Sequence, residues 1–392
     1  MRRLFVLCVV VLSTREAHAK GHSPEFFRWA AHFKDALASE RVARVCGLRG
    51  KRVSTTPRQL ELTRWPELNG TRIGVIPRQH FWMQNVETVE PLAMTAFIGA
   101  IRARQSAVGH ATRSSWIVDI GANMGVYSLV GASIAPDFKT FAVDMQPDCA
   151  RLTRCHLALN GLIDRAEVHN RYVTGSASAA PVEVPKDECN SMASPTAVGG
   201  RRPDGRLRAK SNALLQGRVN RSTLLPVPPL LLGALLRERL PTGGRVAVVK
   251  IDTEGYEPVI LDALRPVWPL IDDLVVELQP HAWRLHGLDV EAAIATLREL
   301  VEAHHFRVVT LPHPRWKEMS RRSVAGSYDL VDCCKLPTRS APVAGLGWLP
   351  HHLGMRKAEV YDAEGLTKML RAVLTRPPGA FYEVLLTRRQ CT

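Results

Sequence analysis

Six ionisable side chains, Asp119, Asp144, Asp252, Glu254, Glu277 and His281, fall at or just beyond the ends of short apolar runs. Acids so placed rarely serve packing alone, because burying a charge without a partner is costly. Asp119 closes the run Trp116-Ile117-Val118, and Gly121, Asn123 and Gly125 come directly after it, ahead of the apolar stretch that starts at Val126. That pattern reads as strand, Gly-rich turn and helix. In an open α/β sheet ligands bind just beyond the carboxyl ends of strands, where glycines allow close backbone approach and a helix N-terminus presents free N–H groups. Asp144 ends a second apolar run 25 residues after Asp119. An acid about 20 residues beyond such a turn accepts hydrogen bonds from ribose hydroxyls in nucleotide-binding α/β units. An ordinary Asp capping the next helix has the same pattern. Asp252, Glu254 and Glu277 belong to two later strand ends, with His281 just after, and supply candidates for removing a proton or binding an acceptor. A structural Lys250–Glu254 ion pair and a plain loop histidine are the competing readings there. Three acids could ligate a divalent cation through oxygen, but their spacing matches no metal pattern. No Cys-x-x-Cys or Cys/His zinc spacing occurs either, so no metal site is assigned.

The elements that must position these residues alternate. The predicted strands cover 116–119, 140–144, 166–173, 246–252 and 274–277, with helices over 126–135, 148–159, 226–240, 258–264 and 290–304 between or after them. The run 246–252 is apolar apart from Lys250 up to its closing Asp252, as a strand buried on both faces should be. Two late strands, 307–311 and 328–333, extend the sheet, and a helix over 364–374 and a strand over 381–386 follow a Pro/Gly-rich tail from 337. Alternation of strand and helix implies a parallel, doubly wound sheet with right-handed crossovers. Ahead of it lie a helix over 24–45, a hairpin over 60–76 around Asn69-Gly70, a helix over 86–103 and a polar linker over 106–115. Residues 174–221 carry Ser, Pro, Gly, Asn and Arg without periodicity. So long a segment inside a compact domain reads as a flexible insertion.

Two ordered motifs carry a family resemblance. Asp119-x-Gly121-x-Asn123-x-Gly125-x-Tyr127-Ser128-Leu129 and Lys250-Ile251-Asp252-Thr253-Glu254-Gly255-Tyr256-Glu257-Pro258, with Asn160-Gly161-Leu162 between them, resemble the FkbM family of S-adenosylmethionine-dependent methyltransferases. The resemblance covers roughly 116–280 without the insertion. It implies a doubly wound, mostly parallel seven-stranded Rossmann-like methyltransferase sheet behind an N-terminal helical and hairpin extension. It also implies S-adenosylmethionine as cofactor, with Asp119, Gly121, Asn123 and Gly125 on its methionine and backbone side and Asp144 on the ribose. Asp252 and Glu254 then face the transferring methyl and the acceptor, with Glu277 and His281 as further candidates for base or acceptor binding. Such methyltransferase sheets add one antiparallel strand near the edge, which a late strand would supply. The chain departs from the family in its insertion and in the apolar stretch 226–236, where an acid is expected; both bear on the acceptor side.

The resulting organisation is a signal peptide over 1–19, an extension and linker over 20–115, a methyltransferase domain over 116–337 and a C-terminal extension over 338–392 offering an edge strand. Arg2 and Arg3 precede nine apolar residues, Leu4 to Leu12, and then the small-residue site Ala17-His18-Ala19. That is a secretory signal pattern, too short to span a bilayer, which takes about 20 residues. No stable membrane span is expected after cleavage, and onward routing to a plastid stays open. Cys8 leaves with the signal, and seven cysteines remain, so at least one is free or intermolecular. Sequons at Asn69 and Asn220 agree with a lumenal route. The formal net charge of +15 invites a polyanion partner, but only eleven of the 52 basic residues are Lys and the Arg residues are scattered. Compositional bias is the simpler account, so a nucleic-acid substrate is not favoured, and no Asn-Pro-Pro-aromatic motif follows strand four. The expected function is O-methylation of a glycan or other hydroxyl-bearing small acceptor in the secretory pathway. The alternative is a catalytically inactive lumenal protein that keeps the fold to bind a glycan or partner. Oligomeric state has no signature in the sequence.

Overall fold

The computed structural model describes residues 91–108, 115–185, 189, 224–311, 359–375 and 382–388, with the short stretches 35–36, 39–46, 58–61, 72–75, 338–339, 348–349 and 352–353. The signal segment, both sequons, the strand expected over 328–333 and most of the insertion lie outside the described residues. So do Cys333, Cys334 and Cys391.

Helix α1 (Pro91–Val108) leads into strand β1 (Ser115–Ile120), which is buried along its whole length. Helix α2 (Val126–Ile134) follows the Gly-rich turn and stops before Pro136, which has no N–H to continue it. Strand β2 (Lys139–Asp144) feeds α3 (Pro147–Leu159), with Pro147 at its first position, and β3 (Ala166–Asn170) comes next. Then come α4 (Leu232–Arg239), β4 (Arg245–Ile251), α5 (Glu257–Ala263), β5 (Ile271–Leu278) and α6 (Pro280–Leu285). Helix α7 (Val290–Glu302) is capped by Asp289, whose carboxylate accepts from the N–H groups of Glu291 and Ala292. Strands β6 (Arg307–Leu311), β7 (Thr338–Arg339) and β8 (Glu359–Tyr361), helix α8 (Ala363–Leu374) and strand β9 (Tyr382–Thr387) complete the core.

The sheet order is β7-β8-β6-β9-β5-β4-β1-β2-β3. Strands β5, β4, β1, β2 and β3 run parallel, and β9 is antiparallel to both its neighbours. Side chains alternate between two apolar layers. Trp116, Val118 and Ile120 pack with α4, α5, α7 and α8, while Ile117, Val248 and Val275 pack with α1 and α2. The fold is thus the doubly wound, mostly parallel Rossmann-like sheet that the alternation predicts.

Three expectations need correction. Among the described residues the sheet has nine strands, not seven, because the short strands β8 and β7 extend it beyond β6. The last strand is not at the edge: β9 lies between β5 and β6, pairing with both. Val384, Leu385 and Leu386 are at most 3% exposed, so both of its faces are covered, as only an interior strand allows. The helix expected over 226–240 begins only at Leu232. Pro226, Pro228 and Pro229 deny a helix its donors, and the chain there forms strands Leu224–Val227 and Pro229–Leu230 instead. The first of these pairs antiparallel with Val182–Pro185, bringing the two ends of the insertion together.

In the N-terminal extension a short helix, Glu40–Val45, and the antiparallel pair Arg58–Glu61 with Arg72–Val75 are described. Cys46 is bonded to Cys155, and Cys149 to Cys189, so both disulfides among the described residues end on α3. No helix among the described residues is long and apolar enough to cross a membrane. Since β9 supplies hydrogen bonds to two core strands, a chain ending at residue 381 exposes two unpaired strand edges. It is expected to lose its cooperative thermal transition in circular dichroism; retention of the full-length transition would show that β9 is dispensable.

Candidate active site

Backbone contact builds the turn after β1. The N–H groups of Gly121 and Ala122 both donate to the Val143 carbonyl, at 2.9 and 3.1 Å, pinning the turn to the end of β2. Asp252 N–H donates to Ile120 O at 3.0 Å, so the end of β4 lies against the same turn. Gly121 has φ 76°, and a Cβ there would come within 1.8 Å of the Asp252 carbonyl oxygen, so only glycine fits. Asn123 follows with φ 51°. From the other side α3 clamps the turn: Thr153 Oγ1 donates to Asn123 O at 2.8 Å, and His156 Nδ1 lies 2.8 Å from Met124 O. A carbonyl only accepts, so His156 carries its proton on Nδ1. Burial holds its pKa down at about 4, and the ring is neutral.

The acids near the ends of β1 and β2 reach different surroundings. Asp119 looks into the α2 side of the sheet, where its Oδ2 accepts from Ser128 N–H at 3.0 Å and Ser128 Oγ at 2.6 Å. It fixes the start of α2. Asp144 opens onto a cleft at the carboxyl ends of β1, β2 and β4. Its Oδ2 accepts from Asn123 N–H and its Oδ1 from Gln146 N–H, each at 2.8 Å. Burial raises Asp119 to about 6 and Asp144 to about 7. Asn170 Nδ2 donates to the Asp144 and Met145 carbonyls and holds the chain beyond β2.

On the β4 side Lys250 is 1% exposed, with its Nζ 3.4 Å from Asp252 Oδ2 and 5.1 Å from the centre of the Tyr127 ring. The ion pair made here is therefore with Asp252, where the sequence suggested Glu254. Glu254 has φ 54°, an uncommon conformation for a non-glycine residue. His286 Nε2 meets its carbonyl oxygen at 2.9 Å, and Gln279 Nε2 donates to its Oε2 at 2.9 Å. The same amide donates to Glu277 Oε1 at 2.7 Å, so Gln279 bridges two carboxylates. Beneath them Glu257 is wholly buried, accepting from Gly255 N–H at 2.6 Å and from Trp283 Nε1 at 2.8 Å. Burial raises its pKa, and these donors oppose the rise.

Gly121, Asn123, Asp144, Asp252 and Glu254 thus line one cleft, with Thr253, Tyr256, Arg171 and Tyr172. Asp119, Gly125, Glu277 and His281 are not among its lining residues. Gly125 packs on Thr153, Glu277 reaches the site through Gln279, and His281 Nε2 is buried without a hydrogen-bond partner. Among the described residues no group of three or more His, Cys, Asp or Glu could hold a metal ion. Sequence reasoning passed over Glu257, Gln279, His286 and His156. Glu257 had a signal, an acid within the second motif and next to a helix-starting Pro258; the others had none beyond proximity.

No family model matches the chain. Over 181 residues it is 26% identical to methyltransferase sdnD of Sordaria araneosa, covering 44% of this chain and 68% of that protein. Among solved structures it is similar to a SAM dependent methyltransferase from Aquifex aeolicus, at 11% identity and a TM-score of 0.25, over 57% of this chain and 83% of that one. It is also similar to an O-methyltransferase family protein from Burkholderia thailandensis, at 11% identity and a TM-score of 0.27, over 92% of this chain and 73% of that one. The fold assignment stands on the strand order described above.

The raised pKa of Asp144 has a stability consequence. Its folded value, about 7, lies above the ordinary 3.8, so its contribution is fully present below 3.8 and is lost as pH rises through about 7. Asp144→Asn cannot ionise. Its melting temperature is expected to rise relative to the unsubstituted protein between those two pH values and then level off. A pH-independent difference would contradict the burial of this carboxylate.

Proposed function

We propose that the chain is an S-adenosylmethionine-dependent O-methyltransferase of the FkbM type, acting on a hydroxyl of a glycan or other small acceptor in the secretory pathway. Asp144 carries the reading. Each of its oxygens takes one backbone N–H, and a carboxylate oxygen has a second lone pair to offer. A buried acid so placed beside a turn that only glycine can make fits the two hydroxyls of a ribose. Hydrogen bonds from a diol would favour the anion that burial disfavours. Similarity to a protein named as a methyltransferase and the two motifs point the same way.

The residues divide the work. Gly121 and Asn123 form the floor under the cofactor, and Asp144 takes its ribose. When bound, S-adenosylmethionine supplies an electrophilic methyl group on a sulfonium. The difficulty left for a hydroxyl acceptor is its proton, since its pKa lies far above neutrality. Glu254, held by Gln279, and Asp252, paired with Lys250, are the groups placed to orient that hydroxyl and accept its proton. Glu277 and His281 stand behind them and serve through Gln279 and the α6 segment. The two disulfides suit an oxidising compartment and support the secretory route.

Isothermal titration of S-adenosylmethionine into the signal-free protein is the first test. The unsubstituted chain is expected to bind and Asp144→Ala to lose binding while staying folded. In methyl-transfer assays over a glycan panel, Glu254→Gln is expected to keep cofactor affinity while kcat falls about 10²- to 10⁴-fold. No cofactor binding by a folded protein would return the chain to the alternative, a fold kept for binding a glycan or partner.

A further inference from the structure

Thr153 and His156 hold the Gly-rich turn against α3, and a disulfide that ties α3 to the insertion packs on the same turn. Cys149, third residue of that helix, is bonded to Cys189. The side-chain oxygen of Asn123 rests on both sulfurs, 3.1 Å from Cys189 Sγ and 3.7 Å from Cys149 Sγ. A disulfide sulfur carries no proton, so these are packing contacts, and they fix the plane of the amide. Asn123 is also the residue whose N–H holds Asp144 Oδ2 and whose backbone stands at a left-handed φ. The disulfide therefore closes directly behind the residue that positions the ribose acid.

We propose that the Cys149–Cys189 disulfide is a redox-sensitive lock on the cofactor turn. Closed, it positions Asn123 and Asp144 for the cofactor; opened, it frees the Asn123 side chain and cofactor affinity falls. The inference rests on the cofactor reading above and adds its regulation.

The reductant is a low-molecular-weight thiol of the glutathione class. Its thiolate attacks Cys189 Sγ, on the partly exposed partner, and the S–S bond breaks with Cys149 leaving as thiolate. A second thiolate then attacks the external thiol's sulfur in the mixed disulfide, and Cys189 leaves as thiolate. Two external thiols are thereby oxidised to one disulfide as two cysteines are reduced. Cys149 is a good leaving group because the unpaired N–H groups of a helix's first turn stabilise a thiolate. The other disulfide offers neither feature: Cys46 and Cys155 are both wholly buried, and Cys155 lies in the later half of α3. The two bonds should open in a fixed order.

Two measurements on the full chain test the lock. Graded reduction with dithiothreitol, trapping with iodoacetamide and peptide mass mapping report which bond opens first; Cys149–Cys189 is expected. Calorimetry with S-adenosylhomocysteine as probe then compares closed, opened and reoxidised protein, with the Cys149→Ala/Cys189→Ala variant beside them. Opening is expected to weaken binding about tenfold, within the usual range for coupled sites, with recovery on reoxidation. By reciprocity the bound probe makes the disulfide harder to reduce by the same factor, about 30 mV. Equal affinity of closed and opened protein, or prior opening of Cys46–Cys155, overturns the lock and leaves the cofactor reading standing. Failure of the closed protein to bind overturns both. Because reduction and reoxidation use one protein sample, poor folding of the variant does not obscure the result.

Discussion

Four ionisable side chains, Asp119, Asp144, Lys250 and Glu257, are buried at the carboxyl ends of the parallel strands or just beyond them. A charge taken from water costs several kcal/mol unless it is partnered, so each of these groups dictates the arrangement around it. Asp119 binds the first turn of α2 through Ser128, and Lys250, its register partner on β4, reaches Asp252. Asp144 binds the turn and the start of α3. Glu257 gathers Gly255, Trp283 and the Gln279 N–H, so that the loop after β4 and helix α6 are set by one carboxylate. The cleft is therefore shaped before any ligand arrives. Preorganisation of this kind is what catalysis by positioning requires.

The alternation of strand and helix, the Gly-rich turn and the acids at strand ends were legible because each depends on local chemistry. Which way an acid points was not. Asp119 is the last but one residue of β1 and shares the face of Ile117, so it turns under α2, whereas Asp144 ends β2 and reaches the cleft. Asp119 pairs with Ala142, so Asp144 stands two positions further along, beyond the last paired residue of β1, where the cleft begins. Sheet order was hidden for a different reason. Nothing local to Tyr382–Thr387 states that it enters between β5 and β6, although its unbroken Val384-Leu385-Leu386 run is that of a strand covered on both faces. The prolines at 226, 228 and 229 were visible and argue against a helix there by themselves.

Helix α3 is the element on which the local and the peripheral meet. Its buried face carries Thr153 and His156 to the turn, its Cys149 reaches the insertion at Cys189, and its Cys155 holds the N-terminal extension at Cys46. Arg151 adds a hydrogen bond to Cys46 O at 2.7 Å. The N-terminal extension and the insertion are thus both bonded to the helix that clamps the Gly-rich turn. A disturbance of either segment has a covalent route to α3 and, through the hydrogen bonds of Thr153 and His156, a physically connected one to that turn.

The charge of the chain bears on the acceptor in a way opposite to first impression. A net charge of +15 suggests attraction to polyanions, yet Asp144, Asp252 and Glu254 line the cleft against one lining arginine, Arg171. Apart from Arg171 the charged side chains lining the cleft are acids, so the cleft offers no cationic patch to a polyanion. Carboxylates held by Gln279 and Lys250 are acceptors of hydrogen bonds, and they match donors: hydroxyl groups or cations. In the proposed reaction S-adenosylmethionine brings a positive sulfonium, so a cationic acceptor would meet like charge at the point of transfer and a neutral hydroxyl-bearing one would not. Under the function proposed above, this balance of charge suits a neutral polyol acceptor better than a nucleic acid.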